Sequence, residues 1–249
     1  MKERDMAVKN LVYKIRAGSS LYGTVTPESD RDYVGIFIPD KDYVMGTIRC
    51  DQVVLNEKVS DGNCNTKDDT DCTLYSLPKF FKLARDNNPN IVEIFFANHT
   101  ATLFCNEFGQ MIKDNYRLFI SKKAYHSFKG YAYSQRMKMI SNDGKGRDVT
   151  RATLVEKFGF DTKYGSHLIR LLLECLELLV EGRITLPLSQ NNLVRDIKIG
   201  KYDLDFVMKK AEELEGLIDQ AYVTSPLQYA ADDKAINDLQ ITMLEKFWN

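Results

Sequence analysis

Apolar positions recur with two different periods along this chain of 249 residues, and the change of period divides it. Up to about residue 106 the dominant spacing is two, as in strands with one buried face. An amphipathic helix over Glu3–Asn10 comes first. Strands follow at Val12–Arg16, Tyr33–Ile38, Gln52–Lys58 and Asp71–Ser76. A helix runs from Leu77 to about Asp86 and is stopped by Asn87-Asn88-Pro89, because proline disfavours helical geometry in the residue before it. Asn90 reads as the N-cap of a short helix carrying Ile91, Val92, Ile94 and Phe95. From about Glu107 the spacing becomes three to four, which predicts helices near 107–118, 121–140, 148–158, 162–182, 203–221 and 231–247. Polar, turn-rich stretches lie at Ser60–Asp69 and Ser141–Arg147, the latter reading as a mobile glycine-rich loop. Short non-helical pieces are expected at Ile184–Leu188 and near Ile197–Gly200. No repeat or low-complexity tract is visible. The pattern predicts a mixed α/β lobe over 1–106 and a helical lobe over 107–249, with a cleft between them.

Composition narrows the setting. Hydrophobic content of 44% and charged content of 28% are those of an ordinary globular protein. The charged start Met1-Lys2-Glu3-Arg4-Asp5 and the lack of a long apolar run argue against a leader or a membrane span. Cys50, Cys64, Cys72, Cys105 and Cys175 are odd in number and contain no C-x-x-C pair. Free thiols in a reducing cytoplasm are therefore expected, rather than a disulfide framework or a zinc site. The formal net charge of −1 conceals a polarity: the balance is −3 over residues 1–110, +8 over 111–170 and −6 over 171–249. The basic middle third points to a polyanion or a triphosphate.

Candidate chemistry concentrates in the stretch from Gly18 to Gly35. A Gly18-Ser19 turn follows the first strand, and eleven residues after Ser19 come Asp30 and Asp32, at the start of the next one. Residues i and i+2 of a strand share a face, so these carboxylates project together, roughly 7 Å apart at Cα. Their mutual repulsion is relieved by a hard cation such as Mg²⁺. The Gly-Ser turn offers amides and a hydroxyl where an anion is favoured. Phosphates on one side and metal carboxylates on the other describe a nucleotidyl-transfer site.

The string G-S-x-x-Y-G-T-x-T-P-x-S-D-x-D-x-x-G, here Gly18 to Gly35, resembles the DNA polymerase beta superfamily of nucleotidyltransferases. Within it, the RNA-ligase-associated branch found in bacteria and phages is the most similar. The resemblance reaches to about residue 200. It implies an α/β (α+β) fold: a polymerase-beta-like catalytic lobe with a small mixed sheet, then a helical lobe that completes the cleft. It also implies two divalent ions, Mg²⁺ or Mn²⁺, an NTP substrate (ATP favoured) and an RNA acceptor. Gly18, Ser19, Tyr22 and Ser29 would contact the nucleotide.

A third carboxylate is implied on a neighbouring strand. Periodicity alone does not separate Asp71 from Asp69, and a site with two acids stays open; the family register D-x-T-x-Y-x-L-x-K-F favours Asp71. Asp30, Asp32 and Asp71 would hold the metal, with Asp71 placed to accept the acceptor's proton. A second resemblance covers Lys163 to Leu172. Lys163, His167 and Arg170 fall at i, i+4 and i+7 on one polar face near a helix N-terminus, where cations gain nothing from the macrodipole and an anion is the natural partner. His167 reads equally as a structural histidine. In Ser121–Ile140, Tyr125, His126, Phe128, Lys129, Tyr131 and Arg136 interleave rings and cations. They serve either to stack bases or as a core face with solvated lysines. His99 reads as structural, and Phe247 with Trp248 as a packing anchor. Three functions fit: nucleotide transfer to RNA, nucleotidylation of a protein or small molecule, and a binding module without activity.

Overall fold

The structure is a computed structural model that describes residues 2–27, 29–55, 70–141 and 149–249. Helix α1 (Lys2–Lys9) leads into strand β1 (Leu11–Arg16), a one-turn helix α2 (Gly18–Tyr22) and strand β2 (Arg31–Phe37). After α3 (Lys41–Met45) come β3 (Gln52–Val54), β4 (Thr70–Ser76), α4 (Leu77–Arg85), α5 (Pro89–Val92) and β5 (Thr102–Cys105). Among the described residues that follow, the elements are helical: α6 (Glu107–Asp114), α7 (Lys123–Ile140), α8 (Val149–Phe158), α9 (Thr162–Glu181), α10 (Asn191–Lys198), α11 (Leu204–Thr224) and α12 (Asp233–Trp248).

The five strands form one mixed sheet in the order β3-β4-β2-β1-β5. Only β2 and β4 run parallel, and their register sets Asp32 directly opposite Asp71. One face of the sheet packs into a core that continues without a break through α4, α7 and α9 to α12. The other face carries a smaller cluster of Met6, Ala7, Phe37, Cys50, Val53, Cys72 and Leu74. At the centre of the helical half is α9, packed against α7, α10 and α11. Leu168, Leu171, Leu172, Cys175 and Leu179 are all buried there, and each leucine contributes roughly 1.5–3 kcal/mol. α12 returns to the first half, where the Trp248 indole N–H donates to the Pro39 carbonyl at 3.0 Å and Phe247 meets Phe108 edge-on.

Some elements differ from the sequence reading. Asn88, not Asn90, caps the short helix: Pro89 occupies its first turn, where a missing N–H costs nothing, and the Asn88 side chain accepts from the Asn90 N–H. β5, α3 and α10 are additions, and His99 lies in an exposed turn outside the core. β3 is described only to Val54, and residues 56–69 and 142–148, including most of both polar stretches, lie outside the described residues. The four described cysteines are free thiols. Among the described residues no helix is long and apolar enough to cross a membrane.

Candidate active site

The end of β1 and the start of β2 bring the glycine-serine turn against the aspartates. Gly18 has a positive φ of 58°, and a Cβ at this position would collide with the Asp32 carboxylate. Glycine is therefore required twice over, by backbone conformation and by the close approach. The Ala17 N–H donates to the Asp32 carbonyl at 2.9 Å, which fixes the turn to the strand. The first residues of α2 have no side-chain cap, leaving the amides around Ser19 available to an anion.

Asp30, Asp32 and Asp71 are all half-buried and offer oxygens within 4.8 Å of one another. Burial, then Asp30 and then Asp71 raise the Asp32 carboxyl to about 6, against which Lys198 pulls downward. Three carboxylates at this separation form a hard-oxygen donor set whose repulsion a divalent cation removes, so the residues fit such an ion. The pairing of Asp32 with Asp71 gives that acid a place in the set; Asp69 lies outside the described residues.

Asp30 and Asp32 open onto a cleft of about 380 Å³ that Gly18, Ser19 and Tyr22 also line. Lys163, His167 and Arg170 of α9 line it too, together with Lys198. Asp161, fully buried, caps α9 by accepting from the Lys163 and Tyr164 amides at 3.1 and 3.2 Å, which holds this helix end at the cleft. Thr162 donates to the Lys198 carbonyl at 2.9 Å, so the end of α10 is tied to the start of α9. Among the described residues Lys163 forms no ion pair.

Arg170 differs from the open cation that its spacing predicts. It is buried, donates to Glu93 at 3.2 Å and to Glu174 at 2.9 Å, and its guanidinium lies 4.3 Å from the centre of the Tyr22 ring. The Tyr22 hydroxyl in turn donates to Glu93 at 2.8 Å. Arg170 and Tyr22 thus line the cleft while their polar groups serve a buried network that joins α2 to α9. Ser29 is also engaged elsewhere: its hydroxyl accepts from the Thr26 N–H and from Lys198 Nζ at 3.0 and 3.2 Å, bracing the turn before β2. It does not line the cleft.

The basic middle third is partly answered from within. Lys129 and Arg136 of α7 pair with Asp219 and Glu215 of α11 at 2.6 and 2.9 Å. Tyr125 donates to Asp219 at 2.8 Å and packs on Tyr222, which also takes the exposed His126 edge-on. Phe128 and Ala132 are core. This face of α7 is therefore structural, and only Tyr131 and Gln135 turn to the cleft. Sequence reasoning missed Lys198, Gln135, Asn90 and Ser166 as lining residues. A helical spacing over Asn191–Lys198, with Val194 and Ile197 buried on one side, was the available signal for Lys198.

Comparison with other proteins gives three findings. A nucleotidyltransferase-like protein of known crystal structure from Exiguobacterium sibiricum 255-15 aligns with 99% of this chain and 75% of its own. It is 12% identical with a TM-score of 0.33, too distant to bear on the site. An uncharacterized 38.9 kDa protein from the nrdC-mobD intergenic region of Enterobacteria phage T4 is 34% identical over 130 residues, a match to 51% of this chain and 38% of that protein's length. The third match runs from residue 2 to residue 216, and by it the chain belongs to the RlaP family, the RNA repair pathway DNA polymerase beta family.

Proposed function

We propose that this protein is a metal-dependent nucleotidyltransferase that moves a nucleoside monophosphate from an NTP, with ATP favoured, to a hydroxyl at an RNA end. Membership of a polymerase-beta family of nucleotidyltransferase-like proteins supports the reaction class. The observation that carries the reading is the cluster of Asp30, Asp32 and Asp71, the first two of which line a cleft shared with Lys163, His167 and Lys198.

In this reading Asp30, Asp32 and Asp71 hold Mg²⁺ or Mn²⁺. A bound divalent ion of this kind neutralises the transferring phosphoryl group and lowers the pKa of the attacking hydroxyl. Ser19 and the amides of its turn hold the terminal phosphates, and Lys163 and Lys198 balance their charge. Asp71 takes the proton of the acceptor hydroxyl as the new O–P bond forms and the bond to the β-phosphate bridging oxygen breaks. Pyrophosphate is the leaving group. Asn90, Tyr131 and Gln135 provide the far end of the cleft for the base. The lobe over 1–106 supplies the carboxylates, and that over 107–249 closes the nucleotide in. Arg170 and Tyr22 act through the network that keeps α2 and α9 in register.

The direct test is incubation with each α-labelled NTP, Mg²⁺ or Mn²⁺, and pools of cellular RNA and protein. Label is expected in RNA and absent with Asp32→Asn. Label confined to protein overturns the acceptor, and label in neither pool overturns the enzymatic reading.

A further inference from the structure

Asp32 has a second neighbourhood outside the nucleotide cleft. β1 ends at Arg16 and β2 begins at Arg31, which brings both arginines to the same end of the sheet. Arg16 pairs with Tyr33 across the strands, and Arg31 lies two residues before Tyr33. All three therefore project from the face opposite Asp32 and Asp71. With Ser20 they line a cavity of about 320 Å³, and Asp32 lines it too. Asp32 is thus common to the two cavities. Lys14, two residues before Arg16 on the same face, sets its ammonium 5.2 Å from the centre of the Tyr33 ring.

Both arginines are exposed, and among the described residues neither meets a carboxylate. Arg16 donates to the Thr100 carbonyl at 2.9 Å. They stand in a half of the chain whose charge balance is −3, beside the most concentrated group of acids on that sheet. A solvated surface gives no reason for guanidinium at these places, because lysine serves that purpose as well. The planar fork of arginine is suited to phosphate oxygens in particular.

Phosphoryl transfer places the attacking and leaving oxygens roughly in line, so an acceptor has to approach from the side away from the leaving group. With the triphosphate in the cleft, the neighbouring cavity stays free and adjoins it at Asp32. We propose that this cavity holds the strand leading to the acceptor end, and that Arg16 and Arg31 grip a phosphodiester of a single-stranded RNA whose terminal hydroxyl reaches the acids around the end of the sheet. The proposal rests on the nucleotide-cleft reading above. A serine or tyrosine acceptor on a protein brings no phosphate for the two arginines, whereas an RNA strand brings one at every nucleotide.

The experiment compares wild type, Arg31→Ala and the double variant Arg16→Ala/Arg31→Ala. Fluorescence anisotropy follows a short labelled single-stranded RNA with a free 3′-hydroxyl across a salt series. Binding of a non-hydrolysable NTP with Mn²⁺ is measured alongside. RNA affinity is expected to fall roughly 10- to 100-fold per arginine, and the slope of log affinity against log salt to shrink by about 0.7 each. NTP affinity should stay as in wild type. Arg31 holds no backbone carbonyl, so Arg31→Ala alone carries the test if loss of the Arg16–Thr100 contact disturbs folding. Unchanged RNA affinity and slope overturn the proposal, as does labelling of a protein acceptor that proceeds equally in Arg31→Ala. Failure of the wild type to bind NTP overturns the cleft reading instead, and the RNA measurement still decides the subsite.

Discussion

Two groups of carboxylates solve the problem of like charge in opposite ways, one at the cleft and the other buried around Arg170. Glu93 and Glu174 converge on Arg170, all three buried, with the Tyr22 hydroxyl donating to one of them. Burial pushes Glu93 up to about 8 even so, and the guanidinium and phenol are what make the arrangement tenable. Asp30, Asp32 and Asp71 are only half-buried. Asp32 stays raised to about 6, with Lys198 pulling against its acidic neighbours. The buried cluster, balanced from within the chain, is a strut. The half-buried trio, two of whose acids line the cleft, is a donor set that a divalent cation fits.

The contrast breaks most visibly if the acidic trio is neutralised. Asp30→Asn and Asp32→Asn should each lower nucleotidyl transfer by about a thousandfold or more, because several kcal/mol of transition-state stabilisation depend on the bound ion. Single-turnover transfer rates check this, and retention of more than a few per cent of wild-type rate in both removes the metal assignment. Asp71→Asn should slow chemistry far more than it weakens nucleotide binding.

Breaking the strut should instead cost stability. Arg170→Ala leaves two carboxylates buried without their cation, an expected loss of about 3–5 kcal/mol in denaturant unfolding. A variant of normal stability with a raised KM for NTP would return Arg170 to the phosphate-binding wall. Lys163→Ala sits between these extremes: it should keep the fold and raise the KM for NTP roughly 10- to 150-fold, the worth of one charge-assisted contact.

The smallest effect is one of pH. Asp32 titrates at about 6 in the folded metal-free protein and near 3.9 in the unfolded chain. The folded state therefore holds a proton that the unfolded chain has released between those values. The stability contributed by that proton is present below about pH 4 and lost as pH rises through about 6. Discounted for its partial exposure, the difference is about 1 kcal/mol. Asp32→Asn should raise the melting temperature of the metal-free protein at pH 7.5 and leave it unchanged at pH 4. A lower melting temperature at both would mean the carboxylate is held by favourable contacts.

Much of this site was legible because its logic is local. The i, i+2 spacing of Asp30 and Asp32 and the glycine-serine turn before them are patterns within one or two strands, whereas alternation leaves Asp71 and Asp69 equal and only the family register favours Asp71, which the β2–β4 pairing sets beside Asp32. The apolar stripe of α9 was equally plain. What escaped depends on residues distant in sequence. Arg170 reads as an open cation until Glu93, 77 residues away, is brought against it. Lys129 and Arg136 of α7 can be read as a polyanion surface until Asp219 and Glu215 of α11 arrive to pair with them. Lys198 ends an eight-residue helix whose spacing is readable but does not show which residues it faces. β5 has four residues and borrows its strand geometry from β1.

The claim that the acidic trio is a cation site is tested most directly by calorimetric titration of the protein with Mn²⁺ at pH 7.5, in wild type and Asp32→Asn. Wild type should bind the ion and rise in melting temperature with it, with affinity weakening as pH falls below about 6, where Asp32 takes up its proton. The variant should neither bind at this site nor be stabilised. Equal Mn²⁺ uptake by both proteins, or none by wild type, would contradict the account.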